Sequence, residues 1–194
     1  MHIMSSQFLW IDLETTGLHP GIDNILEWAV LAVDDTAQDM PILDAASGVL
    51  GVPRGIREGC SAVVRNMHDA NGLWDACAAA TDTVADAERK ILLAVGAWFG
   101  RDASKVVLAG ASVHFDLAFV REHMPRLAKL LSHRVFDVST LKAFARLYPG
   151  GFADLKADAH RAMADVTASL AETRAFRSWA CPQGQTLHLP AVAP

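Results

Sequence analysis

Apolar positions along the chain first appear as runs suited to strands and later as faces with helical spacing. Phe8, Leu9, Trp10, Ile11 and Leu13 form a strand-like run that Gly17 turns, and ILEWAVLAV at Ile25 to Val33 forms a second that stops at Asp34 and Asp35. A third strand is expected within Ile42 to Val52, where Gly48 and Gly51 imply a bulge or tight bend. After Pro53 the pattern changes to helix and loop, with a turn at Asn71-Gly72. Thr83 to Phe99 has the spacing of a long helix: Thr83 caps it, Ala87, Ile91, Ala94, Val95 and Trp98 share a face, and Gly100 lies near its end. Lys105 to Ala109 then predicts a strand, followed by a helix bearing Leu117, Val120 and Met124 that breaks at Pro125. Val135 to Val138 predicts another strand, with Ser139 capping a helix over Thr140 to Leu147 that Tyr148-Pro149-Gly150-Gly151 ends. Ala162 to Phe176 predicts a last helix burying Val166, Leu170 and Thr173. The expected whole is one α/β domain over residues 6–180, with a proline-rich tail or docking arm at 181–194.

Composition narrows the class. At 194 residues and 52% hydrophobic content the chain can bury a substantial single core, and no apolar run is long enough to span a bilayer. The start, MHIMSSQF, has neither a basic segment nor a signal-peptide core, so a cytoplasmic protein away from membranes is expected. Cys60, Cys77 and Cys181 are too few and too far apart for a disulfide framework or a thiolate zinc site. The 17 Lys and Arg against 22 Asp and Glu, a formal charge of -5, disfavour a broad duplex-binding surface. A short, end-bound nucleic acid remains compatible with that charge.

Two acids interrupt the first strand. Residues two apart on a strand face the same side, so Asp12 and Glu14 project together near its carboxyl end, where the crevices of α/β sheets open. Two such charges beside an apolar sheet need a cation or solvent, which leaves a divalent-metal site or an exposed strand end with two hydrated acids. Asp116, at the start of a helix, and Asp165, in early turns of the last one, would each read alone as a capping or surface acid. His160 stands near the entrance of that last helix.

Asp12-Leu13-Glu14-Thr15-Thr16-Gly17-Leu18, then Asp116, then His160 followed by Asp165, resemble the three motifs of the histidine-containing DEDD 3′-to-5′ exonucleases. MHDANGLW at Met67, LAGASVHFD at Leu108, HMPRL at His123 and RVFDVSTLK at Arg134 extend that resemblance toward the oligoribonucleases over nearly the whole chain except the tail. The resemblance implies a ribonuclease H-like mixed sheet covered by helices. It also implies that Asp12, Glu14, Asp116 and Asp165 hold two divalent cations, Mg2+ or Mn2+, about 4 Å apart, with Asp12 bridging them. His160 is then the general base toward water, a role suited to an imidazole that titrates near neutrality.

The same resemblance implies a substrate side. Leu18 separates bases, His68 lines the base site, and Ser112, Arg134, Ser139 and Thr140 contact a terminal phosphate. His133 reaches the site of a partner copy, which makes a homodimer acting on short single-stranded oligoribonucleotides the expected assembly. Trp74 fits a core, interface or stacking position. Two departures bear on substrate choice: Ala111 stands where the pattern has asparagine, and His133 where it has tyrosine, so short DNA joins short RNA as a candidate substrate. Two other readings are a DNA-directed proofreading or processing exonuclease with the same metal chemistry, and a non-catalytic nucleotide-binding scaffold.

Overall fold

All nine residues of ILEWAVLAV are buried, as in a strand covered on both faces, and they form β2 (Ile25–Val33) inside a five-stranded sheet. The computed structural model describes residues 8–37, 39–100, 106–148 and 159–180. β1 (Phe8–Thr15) runs antiparallel to β2, and β2 antiparallel to β3 (Ile42–Val49). β4 (Val106–Gly110) lies parallel to β1, and β5 (Leu131–Asp137) parallel to β4. The order β3-β2-β1-β4-β5 puts β1 at the centre of a mixed sheet.

Alternation along β1 sorts the helices onto two faces. Leu9 and Ile11 pack with Trp28 and Val30, with Ile91 and Val95 of α4 (Val84–Phe99), and with Leu117 and Val120 of α5 (His114–His123). Trp10 faces the other way, with Ala29 and Leu31, Val138 of α7 (Val138–Ala145), and Ala162, Val166 and Leu170 of α8 (Ala162–Ala180). The period of two therefore assigns Asp12 and Glu14 to the α8 side. A smaller cluster joins Leu26 to Cys60, which follows α1 (Ile56–Gly59), and to Leu73, Trp74 and Cys77 of α3 (Leu73–Ala79). Between them runs α2 (Ala62–Ala70), and α6 (Pro125–Ala128) starts where Pro125 was expected to break α5. The buried Glu88 carboxylate satisfies the backbone N–H groups of Arg126 and Leu127 there.

Three boundaries differ from the sequence pattern. β5 begins at Leu131, which pairs with Val106, ahead of the expected Val135; Ser132, His133 and Arg134 fall in the register shift between those pairings on this edge strand, and their polar side chains give no apolar signal. The helix after it is capped by Asp137, whose carboxylate accepts the Ser139 N–H, so Ser139 lies inside α7 and does not cap it. The last helix continues past Phe176 to Ala180. Lys105, the Pro149-Gly150-Gly151 stop, and the tail at 181–194 lie outside the described residues. Among those described, no helix is long and apolar enough to cross a membrane.

Candidate active site

β1 delivers Asp12 and Glu14 to the sheet's α8 side, and the first turn of α8 delivers Asp165 to the same place. One ligand atom from each of these three residues lies within 4.8 Å of the others. Glu14 and Asp165 are buried and Asp12 is half-buried. At that spacing each pair of ionised carboxylates repels by about 3 kcal/mol at an effective dielectric constant of about 20.

Asp116 completes the group from α5. It is buried, and its Oδ1 accepts the Leu13 N–H at 2.9 Å, a bond that ties α5 to β1 between the two strand acids. Burial, then the charge of Asp12, pushes the Asp116 carboxyl well above the usual carboxylate range, against the pull of the Leu13 hydrogen bond. Four carboxyl groups, all oxygen donors, thus converge. That donor chemistry fits a hard divalent cation, the partner that lets all four stay ionised.

A cleft opens beside Asp12 and Asp116, lined by Leu18, Ser112, Phe115 and Phe119. Its Leu18 wall is built by a folded loop. Thr16 Oγ1 donates to Asp23 Oδ1 at 2.9 Å, and the His19 N–H donates to Asp23 Oδ2 at 2.9 Å. Gly17 leaves room for this arrangement, because a Cβ there would sit 2.5 Å from the Asp23 carboxylate and displace it. The loop leaves the Leu18 side chain 65% exposed. On the opposite wall Ser112 adopts a positive φ of 52°, and its N–H donates to Asp137 Oδ1 and Ser139 Oγ, both at 3.0 Å. Ser112 and Ser139 hydroxyls lie 2.9 Å apart.

Other expected site residues fall into two groups. Thr140, His133 and Arg134 are exposed, on α7 and on the β5 edge, and the Arg134 guanidinium makes no ion pair among the described residues. His68 departs from the expectation of a base-lining ring. It is fully buried beneath the site, with Nε2 3.3 Å from the Thr15 carbonyl oxygen, its edge against Trp74, and its pKa lowered first by burial. Trp74 is core, and its indole N–H donates to the Arg65 carbonyl. Cys60 and Cys77 are buried free thiols, and burial raises both, Cys77 to about 11, in keeping with inert cysteines. Cys181 lies outside the described residues.

Sequence reasoning missed four contributors. Asp137 links Ser112 to α7, and the D-x-S spacing of an Asx cap was its signal. Phe115, 42% exposed in the cleft wall, precedes Asp116 and was passed over as helix. Glu27, a lone acid within the apolar β2, is the cross-strand neighbour of Glu14 and grips Arg161 through both carboxylate oxygens at 2.7 to 3.2 Å. The break in β2's apolar run was the signal for that pair.

The exonuclease (RNase_T) family model matches residues 9–173. An oligoribonuclease of Streptomyces avermitilis is 37% identical over 178 residues, covering 90% of this chain and 86% of that one. A mitochondrial oligoribonuclease of Mus musculus is 35% identical over 182 residues, covering 90% of this chain and 73% of that one. Among solved structures, the zinc-bound E. coli exonuclease I complex with single-stranded DNA superposes with a TM-score of 0.63 at 18% identity over 91% of this chain. This chain spans 41% of that exonuclease I chain, and the likeness is one of fold.

Proposed function

Because the chain belongs to the exonuclease family, among its oligoribonucleases, and is on that ground a metal-dependent 3′-to-5′ exoribonuclease, we propose that it releases nucleoside 5′-monophosphates from very short oligoribonucleotides with two Mg2+ or Mn2+ ions. The observation that carries the metal reading is the convergence of Asp12, Glu14 and Asp165 within 4.8 Å, with Asp116 driven toward its protonated form beside them. These four side chains hold the ions. Bound there, divalent cations neutralise the carboxylates, acidify water and stabilise charge on the scissile phosphodiester.

The chain's own residues supply the rest. His160, whose imidazole has no hydrogen bond to the described residues, accepts the proton of the attacking water. Leu18 wedges between the last two bases, a role supported by its exposure at the cleft rim. Ser112, Ser139 and Thr140 offer hydroxyls, and Arg134 a cation, to the phosphate at the other end of a short substrate. His68 supports the base site from below through Thr15. His133, exposed on the β5 edge, reaches across a homodimer to the second copy's cleft, and short DNA enters the same site.

Product identification on end-labelled RNA, after chelation and metal return, tests this reading. The expected result is loss of activity on chelation, recovery with Mg2+ or Mn2+, and stepwise release of 5′-monophosphates from the 3′ end. A folded Asp12→Ala protein should stay inactive, by at least about a thousandfold. Full turnover by that variant, or release from the 5′ end, contradicts the assignment.

A further inference from the structure

The segment carrying His160 is fastened at three points, two through its backbone and one through the Arg161 side chain. The Asn71 carboxamide Nδ2 donates to the His160 carbonyl oxygen and lies 3.5 Å from the Ala159 carbonyl oxygen. Arg161 donates from Nε and Nη2 to Glu27, and more weakly from Nη1 to the Asn71 carbonyl oxygen at 3.4 Å. The Ala162 N–H donates to Glu27 Oε2 at 2.9 Å. Within this clamp His160 has a positive φ of 48°, a conformation unfavourable for a non-glycine residue that persists only where its surroundings impose it. The imidazole itself has no hydrogen bond to the described residues. Backbone and ring are therefore treated in opposite ways.

The orientation of the Asn71 amide follows from its two neighbours. Its Oδ1 accepts the Leu73 N–H at 3.0 Å, at the start of α3, so the NH2 end must face the His160 carbonyl. A flipped amide would set donor against donor at one end and acceptor against acceptor at the other. Asn71 belongs to the turn after α2, which also bears the buried His68 on the Thr15 carbonyl. One short stretch thus braces both the end of β1 and the His160 segment.

We propose that Asn71 is a positioning residue for His160: its carboxamide holds the His160 carbonyl in the left-handed geometry and so sets where the imidazole leaves the backbone. This rests on His160 being the general base. Asn71 touches neither substrate nor the carboxylates in this role and acts through the backbone alone. An ordinary helix-start asparagine needs only its Oδ1, whereas the positioning role needs Nδ2, and that difference separates the two experimentally.

Asn71→Asp keeps the oxygen that caps Leu73 and replaces the donor with a second acceptor, and Asn71→Ser keeps a capping oxygen without the reach to residue 160. Steady-state kinetics on a short RNA, with melting curves and Mn2+ titrations, should be run on both variants, on His160→Ala and on Asn71→Asp/His160→Ala. The expected result is a folded Asn71→Asp protein with kcat about tenfold lower, the loss of one hydrogen bond to the reacting arrangement. KM and the Mn2+ midpoint should hold within about twofold. In the double variant, turnover should equal that of His160→Ala alone. Wild-type kcat in the folded Asn71 variants overturns the proposal, as do losses that multiply in the double variant. Wild-type turnover in His160→Ala removes the general-base reading itself, and the positioning role with it.

Discussion

Asp116 shows what metal-free folding costs at the residue scale. Its pKa in the fold lies above the unfolded value, first through burial and then through Asp12, so the folded chain binds the proton that the unfolded chain releases. The destabilisation is absent below the ordinary carboxylate range, grows as pH rises toward the raised pKa, and is fully present above it. Asp116→Asn removes that charge while leaving an oxygen to accept the Leu13 N–H. Chelated Asp116→Asn protein should therefore melt higher than chelated wild type at pH 8, with the gap closing near pH 4. Mg2+ or Mn2+ should raise its melting temperature less than that of wild type. Thermal scans with and without chelator check both, and a lower melting temperature for the chelated variant at pH 8 would sink the explanation. At this scale the acids were legible because each breaks an apolar pattern or matches a motif. The Asn71 and Asp137 contributions were not, since a turn asparagine and a capping aspartate look the same whether or not a site leans on them.

Element by element, most of the sheet was legible and the first half of its β5 edge was not. β1 and α4 bury apolar residues at the periods of strand and helix, β2 is a nearly continuous apolar run buried throughout, and the Thr83 cap is confirmed by a reciprocal box with Asp86. β3 ends at Val49, inside the range that Gly48 and Gly51 left open, and Gly48 is packed so closely on Trp28 that a Cβ would lie 2.8 Å from the indole nitrogen. β5 escaped notice over its first half because an edge strand need not be apolar. The join between β1 and β4 is the element contact on which the site depends most. A Cβ on Gly110 would meet the Ile11 carbonyl oxygen at 2.6 Å, a backbone atom one residue from Asp12. Gly110→Ala should cost roughly 2 kcal/mol of stability, an overpacking penalty, and should lower turnover more than it raises KM. Urea unfolding combined with kinetics measures both. Unchanged stability and turnover would show that β1 and β4 separate freely, contrary to the packing described.

At the scale of the whole molecule, a formal charge of -5 disfavours a broad surface for a long polyanion. The β5 edge exposes His133, Arg134 and Val135 together, and the proposed function uses this edge for dimer contact and the far phosphate. Light scattering should report a dimer. Arg134→Ala should raise KM for 5′-phosphorylated dinucleotides about tenfold or more, the value of a charge-assisted contact, while leaving the Mn2+ midpoint unchanged. Equal KM with and without the 5′ phosphate in wild type would remove Arg134 from that role. Exonuclease I, solved in a complex with single-stranded DNA, shares the fold, so substrate length is what distinguishes the proposed function. A length series therefore tests the central claim most directly: single-turnover cleavage of 3′-end-matched RNAs from two to twenty residues, with DNA counterparts, in Mg2+ and Mn2+. The account predicts metal-dependent 3′-to-5′ release of 5′-monophosphates, fastest on RNAs of two to five residues and slower as length grows. Equal rates at every length, or cleavage that persists in chelator, would contradict it.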